Sequence, residues 1–94
     1  MENSNADALS ASQEDYLEAI FHIVRENQVA RVRDISKRLN VKSSSVTGAL
    51  QSLSERDLIN YAPYDLITMK PKGLSLAKNI VRRHNALRDF FIKV

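Results

Sequence analysis

The stretch RDISKRLNVKSSSVTGALQSLSER, residues 33–56, decides how this chain folds. Its first part places Ile35 and Leu39 four residues apart, which puts both on one face of a short helix. Asn40-Val41-Lys42 then reads as a turn. The second part carries an inward stripe at helical spacing, made of Val46, Ala49, Leu50 and Leu53. Ser43 or Ser44 is predicted to cap this second helix, which should run to about residue 56. The stretch therefore predicts two helices joined by a tight turn.

Residues on both sides of this stretch extend the pattern. Towards the C-terminus, residues 58–62 and 66–69 read as strands, and Pro63-Tyr64-Asp65 reads as the turn between them. Towards the N-terminus, residues 29–32 read as a short extended piece. The order becomes three helices, a β-hairpin and a last helix. That order predicts a mainly α fold with a small hairpin, the winged helix-turn-helix.

The outer helices have apolar faces of their own. The first helix should start near Ser12 as its cap and end near residues 26–27, burying Tyr16, Leu17, Ile20, Ile23 and Val24. The last helix should start near Pro71, since proline is tolerated in a first turn. Its predicted buried side consists of Ala77, Ile80, Val81, Leu87 and Phe91.

Three regions are expected along the chain. Residues 1–10 are polar and are predicted to form a disordered tail. Residues 11–72 should form the winged domain, and residues 73–94 a helix leading into a dimerisation region that is truncated here. The apolar end, residues 89–94, would expose a hydrophobic patch, so we expect it to pack against a second copy of the chain.

Composition limits the possible functions. The 94 residues suit one small domain, with 44% hydrophobic and 27% charged residues and a net charge of +3. Residues 1–30 hold six acids and one base, whereas residues 31–72 hold eight bases and four acids. A basic middle favours an acidic partner, and nucleic acid is the commonest, although a solvated basic surface is the alternative. With no cysteine and no apolar run of about 20 residues, we expect a cytoplasmic protein without a membrane span.

The second helix of the pair carries the candidate DNA-reading residues. In a helix-turn-helix, the N-terminal residues of that helix contact base edges in the major groove. Short hydroxyls there permit close approach, a glutamine one turn on suits adenine, and flanking cations suit phosphates. The candidates are Arg31, Arg33, Lys42, Ser43, Ser44, Ser45, Thr47, Gln51, Tyr64 and Lys70. The alternative is that the serines only cap a helix.

A candidate metal site lies on the first helix. Asp15 and Glu18 share one face, and His22 follows four residues later. Carboxylates with an imidazole suit manganese, iron(II) or zinc, although acids in a first turn more often serve the helix dipole. His84 lies on the predicted apolar stripe of the last helix, where a histidine is more often part of the core. If the last helix packs on the first, His84 would meet Asp15 and Glu18.

Four short segments resemble one known family, the iron- and manganese-dependent repressors related to the diphtheria toxin repressor, and especially their manganese transport regulator branch. The segments are Glu14-Asp15-Tyr16-Leu17-Glu18, Ala30-Arg31-Val32-Arg33-Asp34-Ile35, Ser44-Ser45-Val46-Thr47 and Arg83-His84. They stand in order and with family-like spacing over residues 10–94. The resemblance implies a homodimer on palindromic double-stranded DNA, with a divalent metal as corepressor, controlling genes of metal uptake or homeostasis.

The resemblance also implies a ligand set. Asp15, Glu18 and His84 match metal-binding positions of the manganese branch, whereas iron-type members carry methionine at the first of these. A hard oxygen ligand there favours Mn(II) over Fe(II). His22 has no ligand role in the family. Arg88 stands where the family has an acidic ligand, and the other family ligands would lie beyond residue 94, so we expect this chain to hold at most half of a site.

Other functions find less support in the residues. A winged helix that binds DNA without metal, or that binds another protein through its apolar end, is the alternative. An enzyme is not expected, because there is no Gly-rich phosphate loop, no cysteine nucleophile and no Ser/His/Asp set at a known spacing. No small-molecule substrate is expected either.

Overall fold

The computed structural model describes residues 8–62 and 66–92, with side chains described through residue 86. The elements are α1 (Ala11–Asn27), α2 (Val32–Leu39), α3 (Ser43–Glu55), β1 (Ile59–Ala62), β2 (Leu66–Met69) and α4 (Pro71–Ile92). This is the predicted winged helix-turn-helix. No helix in the described part of the chain combines the length and apolarity needed to cross a membrane.

Helix α1 begins two residues before the predicted start. The cap is Ser10, not Ser12: its hydroxyl accepts from the backbone N–H of Gln13, and the Gln13 side chain accepts from the N–H of Ser10. This reciprocal pair is a capping box, and it satisfies two N–H groups that the helix start would otherwise leave open. Of the predicted tail, residues 8–10 are described, and Leu9 packs against the core.

Helix α3 starts without a serine cap. Its N-cap is Lys42, whose side chain makes no capping bond, so the prediction of a Ser43 or Ser44 cap was wrong. All three serines instead lie inside the first turn. The turn before them places Asn40 in the left-handed region at φ 57°, and the N–H of Val41 bonds to the carbonyl of Ser36. Asparagine is one of the few residues that adopt this conformation readily.

The wing is an antiparallel pair, β1 with β2, in which Ile59 lies opposite Met69. A third segment joins it. Ala30, in the linker between α1 and α2, exchanges two backbone hydrogen bonds with Ile67 of β2, at 2.9 and 2.8 Å. The predicted extended piece is confirmed at Ala30, which pairs with the wing, but Val32 already belongs to α2.

One apolar core joins all the elements. The largest fully buried side chains are Leu17, Ile20, Ile35, Val46, Leu50, Leu53, Leu58, Ile59, Ile67 and Ile80. Helix α4 enters this core through Ala77 and Ile80 and packs on α1. Gly73 packs against Leu58, the residue before β1, and a Cβ at Gly73 would overlap the carbonyl oxygen of Leu58. The first turns of α4 therefore belong to the same core as the helix-turn-helix.

On the predicted buried side of α4, Ala77 and Ile80 are buried and Val81 packs against the core. Residues 82–86 are all exposed, although Arg83 and His84 still reach acidic side chains of α1. His84 is thus not on a buried stripe, and 44% of its side chain is exposed. The side chains of Leu87 and Phe91, and the predicted dimer contact of residues 89–94, lie outside the described side chains.

Candidate nucleic-acid interface

The first turn of α3 presents a row of exposed polar groups. Lys42, Ser43, Ser44 and Ser45 are all exposed, and within the described part of the chain no hydrogen bond occupies the three serine hydroxyls. The buried stripe of Val46, Leu50 and Leu53 faces the opposite way and fixes the helix to the core. The backbone N–H of Ser45 donates to the carbonyl of Lys42 at 3.0 Å, whereas the serine hydroxyls face solvent. Exposed hydroxyls at a helix start are the arrangement that phosphates and base edges require.

Two further DNA-contact candidates on α3, Gln51 and Thr47, differ in whether their polar groups are already hydrogen-bonded within the protein. Gln51 is exposed about two turns beyond Ser44, and none of the described residues hydrogen-bonds to its amide. Thr47 is half-buried, and its hydroxyl donates to the carbonyl oxygen of Ser44 at 3.0 Å. A threonine bonded back to its own helix has its donor occupied, although the oxygen can still accept. Thr47 is consequently the weaker of the two as a donor to DNA.

A groove between α2 and the start of α3 holds the cations. It is lined by Arg33, Asp34, Ser36, Lys37 and Ser43. Arg33 and Lys37 are both exposed, and their spacing of four residues puts them on one face of α2. Sequence reasoning proposed Arg33 but missed Lys37. The signal was available, because Lys37 follows Arg33 by one helical turn.

Arg31 lies at the N-cap of α2 with an exposed side chain. Its own backbone N–H donates to the carboxylate of Asp34 at 3.2 Å, which fixes the backbone from which the guanidinium extends. The opposite edge of the interface would be the wing. Tyr64, the candidate at its turn, lies outside the described residues.

Lys70, at the base of the wing, is not a free cation. Its ammonium donates to the carboxylate of Asp57, which lies in the turn between α3 and β1. That hydrogen bond and the positive charge of Lys70 hold the pKa of Asp57 below its ordinary value, and Lys72 adds to the effect. A phosphate would have to compete with Asp57 for Lys70.

The acidic face of α1 meets α4 at two points. Nδ1 of His84 lies 2.9 Å from a carboxylate oxygen of Glu18, and Arg83 donates to Glu14 at 3.1 Å. The second oxygen of Glu18 lies 3.5 Å from Nε2 of His22. Two of the three metal candidates, Glu18 and His84, are thus in direct contact.

The third metal candidate, Asp15, takes no part in the contact between Glu18 and His84. Asp15 is exposed and lines a shallow groove with Glu18, His22 and Arg38. Among the described side chains, no three His, Cys, Asp or Glu residues form a group able to hold a metal ion. The donor chemistry of Glu18 and His84 fits a divalent transition metal, but this pair needs at least one more ligand.

One contact between α1 and α3 was not anticipated. Nε2 of Gln13 donates to the hydroxyl of Ser52 at 2.8 Å, in a partly buried position. Gln13 is also the capping-box residue of α1, and it directly precedes Glu14 and Asp15. The turn of α1 that carries the acidic residues is therefore hydrogen-bonded to the helix that presents the serines.

Comparison with known families matches residues 8–66 to the family described as "Iron dependent repressor, N-terminal DNA binding domain". The match covers α1 to the start of β2 and includes every element of the helix-turn-helix. The chain belongs to the iron-dependent repressor family. The predicted resemblance is confirmed, and the chain carries the family's DNA-binding domain. The family's name implies a divalent metal.

Curated relatives agree with this family. The chain is 42% identical over 79 residues to the HTH-type transcriptional regulator MntR of Shouchella clausii, covering 84% of this chain and 55% of that protein. It is 38% identical over 79 residues to MntR of Bacillus subtilis, again covering 84% of the chain and 56% of the relative. The chain thus spans little more than half the length of these relatives. Both are named as transcriptional regulators, and the family is not one of enzymes, as predicted.

Solved structures confirm the fold. T. acidophilum IdeR is 30% identical, with a TM-score of 0.74 over 82% of this chain and 36% of that chain. Lactococcus lactis ZitR has a TM-score of 0.77 over 92% of this chain and 58% of its own, at 23% identity. ZitR was also solved in complex with DNA, with a TM-score of 0.75. The ZitR likeness bears on the winged helix-turn-helix architecture alone.

Proposed function

We propose that this chain is the DNA-reading part of a metal-responsive repressor of metal-ion uptake or homeostasis genes. The observation that carries the proposal is the open tip of α3, where three exposed serines and Lys42 stand beside the basic groove of Arg33 and Lys37. A repressor of this kind binds a palindromic operator as a homodimer and acts in the cytoplasm, where the operator is.

In this proposal α3 lies in the major groove. Ser43, Ser44 and Ser45 contact base edges or adjacent phosphates, Gln51 pairs with an adenine, and Thr47 accepts a hydrogen bond. Arg31, Arg33 and Lys42 neutralise phosphates on one side. Tyr64 and Lys70 are the candidates on the wing, and Lys70 reaches a phosphate only when it leaves Asp57. The winged domain of residues 11–72 supplies all of these groups. Helix α4 supplies part of its core and leads towards the dimer contact.

The metal would be held by Glu18 and His84, with Asp15 as a third donor from the same face of α1. Manganese(II) is favoured over iron(II), because Asp15 offers a hard oxygen. Such an ion supplies positive charge and fixed coordination geometry. The residues then act as a connection between helices: His84 fixes α4 on Glu18, while Gln13 fixes the same end of α1 on Ser52 of α3. Further ligands would have to come from outside the described side chains. Arg88 agrees with this, because it stands where the family has an acidic ligand.

The proposal is tested by enriching duplexes from a random 30-base-pair pool with the protein, then measuring binding by fluorescence anisotropy with and without Mn(II). We expect a sequence-selective duplex, a steep fall in affinity with salt from the phosphate contacts, and tighter binding with Mn(II). The same titrations on a version of the regulator with a full-length C-terminal half show whether residues beyond 94 complete the site.

The metal half of the proposal has its own variant. Asp15→Ala should reduce the gain from Mn(II) and leave the metal-free affinity unchanged, because Asp15 is exposed and is not one of the residues proposed to contact DNA. Glu26→Ala, at an exposed acidic position at the other end of α1, is the matched control. An equal loss with and without Mn(II) would count against a metal role for Asp15. Mn(II)-independent selective binding in the longer version too would favour a metal-independent module.

A further inference from the structure

Gly48 is a glycine that the fold does not need. It lies in the interior of α3, where glycine makes a helix less stable than alanine does. Its φ is not positive, so the backbone conformation does not require glycine. A Cβ built on it would meet no described atom within 4 Å outside its own stretch of helix and chain neighbours. Neither conformation nor packing within the described part of the chain therefore explains this residue.

Gly73 shows the contrasting case in the same molecule. A Cβ on Gly73 would overlap the carbonyl oxygen of Leu58, so the packing of α4 against the residue before β1 excludes any side chain at position 73. Gly73 is explained by the fold, and Gly48 is not.

The position of Gly48 on α3 indicates which surface of the helix it affects. Ser44 is four residues before it and Gln51 three residues after it, so the three share one exposed face of α3. That face is the one opposite the buried stripe of Val46, Leu50 and Leu53. Gly48 thus forms a shallow notch at its centre, with a hydroxyl on one side and an amide on the other.

We infer that Gly48 sets how closely α3 approaches the floor of the DNA major groove, an inference that rests on the proposed function. A helix fits in this groove with little room to spare, and side chains as short as serine reach base edges only if the backbone comes near. A methyl group at residue 48 holds the helix away by its own thickness. The hydrogen bonds of Ser44 and Gln51 to the bases then lengthen together. The glycine makes α3 less stable than alanine would, and it allows the side chains of α3 to reach the bases.

The test compares Gly48→Ala and Gly48→Leu with the wild-type chain and with Ser75→Ala. Ser75 is exposed on α4, away from α3, so its replacement raises helix propensity without touching the interface. Thermal unfolding is followed by circular dichroism. Binding is measured by anisotropy on the duplex that the wild-type chain enriches from the random pool, and on a mixed-sequence duplex of equal length.

Gly48→Ala should raise Tm by about 4–8 °C and weaken binding to the enriched duplex about tenfold, with a smaller loss on the mixed-sequence duplex. Gly48→Leu should weaken binding further, whereas Ser75→Ala should leave binding unchanged. Wild-type affinity in a stabilised Gly48→Ala variant overturns the inference and leaves the proposed function standing. A lowered Tm overturns it too, since the fold would then need the glycine. If the wild-type chain enriches no duplex, the proposed function fails, and the inference fails with it.

Discussion

The contact between Lys70 and Asp57 leads to a quantitative prediction about DNA binding. Asp57 is an exposed acid that forms an ion pair with Lys70. Lys70 is the cation at the base of the wing that the sequence predicts to contact a phosphate. Asp57→Asn removes the competing charge and keeps the backbone, because asparagine adopts the left-handed conformation of Asp57, φ 66°, at least as readily. Lys70 is then available to a phosphate.

One additional phosphate contact steepens the dependence of log K on log salt by about 0.9. Between about 50 and about 200 mM salt, a fourfold change, the affinity of Asp57→Asn should fall about 3.5-fold more than that of the wild-type chain. At the lower salt concentration the variant should bind more tightly. The assay is an anisotropy titration on the mixed-sequence duplex at four or more salt concentrations.

Removing a negative charge anywhere near DNA also helps binding, so the control is the pair of variants Lys70→Gln and Asp57→Asn/Lys70→Gln. If Lys70 makes the contact, these two should share one salt slope, and only Asp57→Asn alone should be steeper. A slope for Asp57→Asn equal to the wild-type slope would refute the reasoning. Lys70 would then stay away from phosphate even when released.

The same ion pair predicts a pH dependence of stability. The folded pKa of Asp57 lies below its ordinary value of 3.8, chiefly because of the hydrogen bond and charge of Lys70. A depressed carboxyl pKa contributes stability that is present above the ordinary value and is lost as pH falls through the lower folded value. The Tm difference between the wild-type chain and Lys70→Gln should therefore be present at neutral pH and disappear in acid below 3.8.

Three other predictions concern the core and the basic groove. Gly73→Ala should destabilise the fold by about 2 kcal/mol despite better helix propensity, since the methyl group overlaps the carbonyl of Leu58; a Tm equal to that of the wild-type chain would contradict this packing. Leu50→Ala should lower the free energy of unfolding in urea by about 2–5 kcal/mol, because Leu50 is fully buried on the inner face of α3. A loss under about 1 kcal/mol would mean that the neighbouring side chains close the cavity. Lys37→Gln should make the salt slope shallower by about 0.9 with no change in Tm, whereas an unchanged slope would exclude Lys37 from the interface.

Much of the fold followed from local spacing. The stripe of Val46, Leu50 and Leu53 placed α3 correctly, and the apolar positions of α1 did the same, since a helical period is a property of neighbouring residues. The N-caps were less well predicted. Ser10 and Ser12 both precede an apolar run, and only Ser10 has a glutamine three residues later, a capping-box signal that favours it.

The site was predicted only where local sequence is enough. The exposed serine tip of α3 follows from the register of one helix, and its exposure is what the sequence indicates. The contacts of Glu18 with His84, of Gln13 with Ser52 and of Lys70 with Asp57 join elements distant in the chain. Such contacts depend on where helices cross. No periodicity within one segment contains that information.

The pairing of Ala30 with Ile67 has a mechanical consequence. Two backbone hydrogen bonds join the linker before α2 to the wing. The hairpin therefore cannot tilt unless the segment that bears Arg31 moves with it. A duplex that contacts both the linker and the hairpin would bind two segments whose spacing is fixed. Curvature in the double helix would then have to come from the nucleic acid, so stiff and pliant sequences should be bound unequally even where no base is touched.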